Sequence, residues 1–212
     1  MNIADLRVDY KKKELDYKHL LNDPLQQFEK WFQEALNAEV PETNAMVLST
    51  VDKEGQPFSR VVLLKGIENR KFLFYTNYRG RKGQQIAVNN KVSVTFFWQP
   101  LERQVNIIGT AEKVDSPISD QYFHSRPRKS QLGAWASAQS EPLESRNQLK
   151  KKFVRQALRY LGREVPRPPH WGGYAITPSQ IEFWQGRPSR LHDRMQFSQQ
   201  DNGEWKIERL SP

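Results

Sequence analysis

The segment RLHDR (190–194) sets Arg190, His192 and Arg194 at alternate positions in a chain with few other reactive groups. Alternate side chains share one face of an extended strand, so this spacing predicts that the three project together, with Leu191 and Asp193 opposite. Two guanidiniums beside an imidazole suit an anionic, planar ligand, because arginine offers a rigid fork of donors and histidine a proton that moves near neutral pH. A solvent-facing cluster on a barrel rim satisfies the same spacing. In YRGRKGQ (78–84), Arg81 and Lys82 stand at what reads as a helix start, a natural seat for phosphate, although a basic surface turn reads the same way. Further cations are set into apolar strand patterns: Arg60 and Lys65 bracket VVLL, and Arg103-Gln104 opens another run.

Other chemistries are excluded. Cys is absent, which removes disulfides, thiolate nucleophiles and Cys-ligated metals. The four histidines, His19, His124, His170 and His192, show no HExxH or paired metal spacing, so no metal site is expected. GxSxG, P-loop and GxGxxG patterns are missing. The net charge of +9 attracts phosphate in any form, but the runs Lys11–Lys13 and Lys150–Lys152 carry no nucleic-acid motif and read as solvated faces. No apolar stretch is long enough to span a membrane, and the N-terminus lacks the apolar core of a secretory signal. A cytoplasmic protein without membrane or nucleic-acid partners is the expectation.

The elements that position these residues are legible in outline. The 212 residues suit one domain (1–212), polar overall at a mean hydropathy of −0.81, yet with six Trp to build a core. Asp23-Pro24 caps a helix over 24–38 with Leu25, Phe28, Trp31, Phe32, Ala35 and Leu36 on one stripe. Five β-rich runs follow at 45–51, 58–65, 72–77, 91–98 and 103–114, separated by turn chemistry that includes GIENR (66–70). They predict an antiparallel meander closed into a small barrel. Helices are expected from Ser116 to Phe123 and over 143–161, the latter with Leu149, Phe153, Val154, Ala157, Leu158 and Leu161 along one side. Strand patterns resume at 174–185, 190–198 and 204–210 and complete the barrel. The fold class is mainly β with flanking helices (α+β).

The stretch IEFWQGRPSRLHDR (181–194) resembles the signature of pyridoxamine 5′-phosphate oxidases, in which EFWQ and RLHDR occur together four residues apart. LRVDY (6–10), RVVLLK (60–65), FYTNYRGRKGQQI (74–86), LERQV (101–105), YFHSRPRKSQLGAWAS (122–137), HWGGY (170–174) and the closing WKIERLSP are similar to family segments in family order. The resemblance implies an FMN-binding split β-barrel, antiparallel and homodimeric, with active sites at the subunit interface. It implies oxidation of pyridoxamine or pyridoxine 5′-phosphate to pyridoxal 5′-phosphate, with hydride passing from C4′ to flavin N5. Dioxygen is then the acceptor, giving hydrogen peroxide, and the amine substrate releases ammonia.

Residue roles follow from the same resemblance. For the cofactor it implies Arg60 at the phosphate, with Val61, Val62, Leu63, Leu64 and Lys65 along the ring edge. Tyr75, Thr76, Arg81, Lys82, Gln139 and Ser140 add donors, Gln104 and Trp184 contact the flavin, and Arg194 lies near its electron-accepting end. For the substrate it implies a phosphate pocket of Lys65, Tyr122, Arg126 and Ser130, with Arg190 and His192 bracketing the ring as catalytic residues. Arg7 and Tyr10 belong to an N-terminal lid, about 1–22, that covers the substrate, and a helical insertion spans about 116–165. Val8-Asp9 departs from the charged pair usual in that lid, and Arg187-Pro188-Ser189 fills a variable gap without a reading. Two alternatives stay open: a related split-barrel oxidase acting on another substrate, and a basic barrel that binds nucleic acid.

Overall fold

Alternating burial along β-branched and aromatic runs builds nine antiparallel strands in the computed structural model, which describes residues 9–212. In chain order they are β1 (Ala45–Val51), β2 (Pro57–Leu63), β3 (Gly66–Glu68), β4 (Lys71–Asn77), β5 (Lys91–Trp98), β6 (Arg103–Lys113), β7 (Trp171–Gln185), β8 (Asp193–Gln199) and β9 (Trp205–Leu210). Five helices accompany them: α1 (Pro24–Asn37), α2 (Arg81–Val88), α3 (Ser116–Ser125), α4 (Arg128–Ala136) and α5 (Arg146–Arg159). None is long and apolar enough to cross a membrane. The fold class is as the sequence predicts, mostly β and antiparallel with flanking helices.

The strand order is β2-β1-β5-β6-β7-β4-β3, with β8 on β7 and β9 on β8. It is not the simple meander expected. GIENR is the cause: Gly66–Glu68 forms a strand rather than a loop, and Asn69 and Arg70 (φ 48° and 64°) turn it tightly into β4. That hairpin places β4 near the other end of the strand order, where the curl of the sheet brings it back against β2. The chain between β2 and β3 bridges the two edges, because Leu64 N–H donates to Asn44 O and Lys65 N–H to Leu73 O.

β7 organises the remainder. It pairs with β6 over 174–185, with β4 over 171–176 and with β8 over 180–185. Between its two halves the register against β6 shifts at Ile108/Gly109. A Cβ on Gly109 would lie 2.1 Å from the Thr177 carbonyl oxygen, so only glycine admits this approach.

The barrel interior is aromatic, and α1 plugs it. Asp23 caps α1 by accepting from Leu25 N–H at 2.8 Å, and Pro24 starts the first turn. Phe28 meets Phe72 and Phe96 at 5.0 Å each, and Trp31 meets Phe183 at 5.2 Å. Leu36, expected on the same stripe, is exposed.

A second cluster of Phe123, Leu132, Tyr160, Val165 and Trp171 joins α3–α5 to the barrel end. α4 was not anticipated, since RKSQLGAWA has little amphipathic pattern. α5 is shorter than the 143–161 expected, and its stripe divides: Phe153 and Ala157 pack inward while Val154, Leu158 and Leu161 face outward. One neighbouring helix, α4, covers one side of α5 only.

Phe28→Ala removes the ring at the centre of the plug, and the lost burial plus the cavity left behind cost about 3–5 kcal/mol. Urea unfolding should report that loss; a change below about 1 kcal/mol would mean that α1 does not plug the core.

Candidate functional site

Cations gather where β2, β4 and α2 meet. Arg60, on the inward face of β2 opposite Leu48, donates to Thr50 Oγ1, to Leu48 O (3.3 Å) and to Gln85 Oε1 (3.1 Å). Lys82 Nζ donates to Thr76 Oγ1 (3.0 Å) and Gln139 Oε1 (2.7 Å). Arg81 lies over the Phe58 ring at 5.3 Å. Arg81 and Lys82 open α2 behind Gly80, which offers no capping side chain, so the first backbone N–H groups face the same region.

Among the described residues, none of these three cations pairs with a carboxylate. Burial and then Arg81's charge push the Arg60 guanidinium below its usual range. Burial and Arg60's charge bring the Lys82 ammonium down to about 8. Three cations held together without a counter-charge form a seat for an anion, and the N-terminal amides of α2 suit phosphate.

Tyr75, next along β4 from Thr76, belongs to an aromatic cluster. Tyr75 stacks on Tyr122 at 3.8 Å, and both rings lie parallel to Trp171. Arg126 spreads its guanidinium over Trp171 at 4.4 Å, and its Nη1 is buried with no hydrogen-bond partner. Burial lowers the Arg126 pKa, and Tyr122 partly offsets that. An orphaned donor on a buried cation is costly unless a ligand accepts from it. Ser130 sits half-buried two residues into α4, and Lys65 is exposed at the end of the β2 edge. Of the run Arg60–Lys65, Arg60, Val62 and Leu64 turn inward, while Val61, Leu63 and Lys65 stay open.

The remaining predicted residues form a separate group. Gln104 pairs with Trp184 across β6–β7 and Trp184 with Arg194 across β7–β8, giving one row on the outer sheet face. Arg194 is forked onto Glu182 (2.7 and 3.1 Å), an ion pair that raises the Arg194 pKa. The His192 ring lies 4.6 Å from Trp184, and the Tyr10 ring packs edge-on against Trp184 at 5.7 Å. Among the described residues, no hydrogen bond, ion pair or ring contact joins this group to the cation seat or the Arg126 pocket. Arg7 lies outside the described residues.

The strand argument for Arg190 and His192 is corrected. β8 begins at Asp193, not at 190. Pro188–Arg190 is a helical turn in which Ser189 and Arg190 hold φ of 56° and 61°, so strand alternation does not extend through RLH. His192 is oriented instead by Arg187, whose backbone N–H donates to Nδ1 at 3.1 Å and leaves the neutral ring's proton on Nε2. Burial and the Arg190 charge lower the His192 pKa, against Asp193. Arg187 carried no reading in the sequence and proves to set this tautomer. Thr50, Gln85 and Glu182 were missed as well; each is an ordinary strand or helix residue whose partner lies far along the chain.

Fold and site together give a curled antiparallel barrel with a cluster of cations that no carboxylate compensates and, apart from it, an aromatic–imidazole row. A family model described as pyridoxamine 5′-phosphate oxidase matches residues 32–160, and one described as the pyridoxine 5′-phosphate oxidase C-terminal dimerisation region matches 171–212. The chain is 54% identical over 211 residues to a pyridoxine/pyridoxamine 5′-phosphate oxidase of Bacteroides thetaiotaomicron, covering 100% of this chain and 99% of that one. It is 52% identical to the same-named protein of Bordetella petrii, covering 100% of each. Among solved structures, PhzG of Burkholderia lata in complex with tetrahydrophenazine-1-carboxylic acid superposes with a TM-score of 0.89 at 28% identity, covering 97% of this chain and 100% of that one. A pyridoxamine 5′-phosphate oxidase-related, FMN-binding protein of Nostoc punctiforme shares the fold, with a TM-score of 0.72 at 15% identity, over 91% of this chain and 100% of that one. The chain belongs to the pyridoxamine 5′-phosphate oxidase family.

The depressed Lys82 gives a pH test. A phosphate beside Nζ restores its proton, so binding above pH about 8 takes up a proton and affinity falls as pH rises. FMN titrations followed by flavin fluorescence should weaken from pH about 7 to about 9.5, and Lys82→Met should flatten the curve. A pH-independent affinity in the unmutated protein would contradict the assignment.

Proposed function

We propose that the chain is an FMN-dependent oxidase that converts pyridoxamine 5′-phosphate and pyridoxine 5′-phosphate to pyridoxal 5′-phosphate, acting as a homodimer with each site built from both copies. One observation carries this reading. Two groups of cations without counter-charges are linked through β4: Thr76 accepts from Lys82 of the Arg60/Arg81/Lys82 group, and its neighbour, Tyr75, stacks on Tyr122 and Trp171, over which Arg126 lies. A phosphorylated cofactor beside a phosphorylated substrate needs such a pair of seats.

The residues present fit FMN. Arg60, Arg81 and Lys82 hold its phosphate, Thr76, Gln139 and Ser140 meet the ribityl chain, and the open edge from Val61 to Lys65 borders the ring. Gln104, Trp184 and Arg194 close over it from the partner copy. FMN held there would supply a hydride acceptor for C4′ and a route for the electrons to dioxygen, giving hydrogen peroxide; the imine formed from the amine substrate would then be hydrolysed by water to the aldehyde and ammonia. The protein binds and orients. Lys65, Tyr122, Arg126 and Ser130 grip the substrate phosphate, and Arg190 and His192 bracket its ring, His192 offering its Nε2 proton to a polar substituent. Tyr10, with Arg7 of the same segment, closes over the bound substrate.

The dimer follows from an exposed apolar face. Val47, Val61 and Phe97 share the outer sheet face with the Gln104–Trp184–Arg194 row, and Val61 and Phe97 are 64% and 55% exposed. Burying this face against a second copy brings one chain's aromatic–imidazole row to the other's cation seats.

With FMN, both phosphorylated vitamers should yield aldehyde and peroxide in equal amounts, while the unphosphorylated forms turn over far more slowly. Arg126→Ala should raise KM about 10- to 100-fold with kcat nearly kept, because it removes binding shared by ground and transition states. Arg190→Met should lower kcat/KM severely with FMN affinity nearly intact. Equal turnover of phosphorylated and unphosphorylated substrates would overturn the reading.

A further inference from the structure

Glu102 occupies a backbone position that side-chain-bearing residues rarely adopt, φ 55° and ψ 40°, directly after the turn that leaves β5. It is 8% exposed. Its carboxylate Oε2 accepts the backbone N–H of Lys11 at 2.9 Å and of Lys12 at 3.0 Å, more than ninety residues back along the chain for the first of them. Its backbone carbonyl accepts Gly186 N–H at 2.7 Å. The two atoms of one residue therefore hold two different segments.

Those segments enclose Tyr10. Gly186 is the floor under the ring: a Cβ there would lie 2.7 Å from Tyr10 Cγ. Lys11 and Lys12 are the next residues of the chain that carries the ring, and Lys12 Nζ also donates to Pro100 O. Beyond them the segment is fixed independently. Leu15 is buried in the core, its N–H donates to Asp193 Oδ2 at 3.1 Å, and Arg187 and Arg209 bind Glu14 and Asp16. Tyr10 thus adjoins an anchored strap, and Glu102 holds the two residues that follow it.

We infer that Glu102 is a positioning residue for the substrate site: its carboxylate fixes the strap at Lys11–Lys12 while its carbonyl fixes Gly186, and together they seat Tyr10 against Trp184 and His192. This rests on the proposal that Tyr10 and His192 face substrate. It also gives the Lys11–Lys13 run a place, as the exposed outer surface of the strap rather than a ligand site.

Glu102→Gly separates the two sources of its effect, since glycine adopts this backbone conformation freely and the fold loses only the carboxylate. Limited trypsin digestion reads the strap directly at Lys11, Lys12 and Lys13. In Glu102→Gly, cleavage there should rise about tenfold while the melting temperature and FMN affinity hold, and KM for pyridoxamine 5′-phosphate should rise. Glu102→Gln, which keeps one acceptor oxygen, should recover part of both effects. In a Tyr10→Ala background, Glu102→Gly should add no further change in KM. Unchanged cleavage at Lys11–Lys13 would overturn the clamp. Faster cleavage with unchanged KM would overturn the positioning role, leaving the oxidase reading to its own turnover test.

Discussion

One strand divides an edge between two neighbours. β7 pairs along most of its length with β6, but on its other edge it gives its first half to β4 and its second to β8. The bulge opposite Gly109 lets it turn from one duty to the other. This division separates the candidate site residues into two groups. Those on β2, β4 and α2 gather at the barrel end that β4 closes. Those on β6, the second half of β7 and β8 line the outer face on the far side of the bend. On the proposed reading neither set is complete by itself, and a second copy brings the two together.

Electrostatics tells the two kinds of cation apart. Several arginines are paired with carboxylates: Arg103 meets Glu34, Arg70 meets Asp23, Arg167 meets Asp120, Arg209 bridges Asp16 and Asp193, and Arg194 of the outer row meets Glu182. Arg60, Lys82 and Arg126 are buried enough to have lowered pKa values and have polar or aromatic neighbours instead. Holding a cation half-buried without an anion destabilises the free protein, and a bound phosphate removes that cost. On the proposed reading the same uncompensated charge favours occupation by phosphate.

Much of this was legible in the residues. Alternation marks β1 and β5 to the residue, and Asp23-Pro24 marks the start of α1, because strand pleat and helix cap are local physics. α4 escaped because its nine residues bury only Gln131, Leu132 and Ala136, too few for a periodic signal. RLHDR misled because alternation was read through a turn held by positive φ at Ser189 and Arg190, which residue types other than glycine do not announce. The family resemblance named the site residues but not their division. That division depends on pairings between residues tens of positions apart, as in Gln104, Trp184 and Arg194, and on the apolar outer face that alternation alone leaves unassigned.

Completion of each site by the second chain can be read from a mixed dimer. One chain carries Arg60→Ala with Lys82→Ala, the other Arg190→Met, and differently tagged copies allow the mixed species to be isolated. If the cation seats of one chain work with the Arg190 and His192 of the other, the mixed dimer has one intact site and recovers about half the wild-type activity, although each parent is nearly inactive. If each site lies within a single chain, both sites of the mixed dimer carry a lesion, and its activity stays at that of the parents.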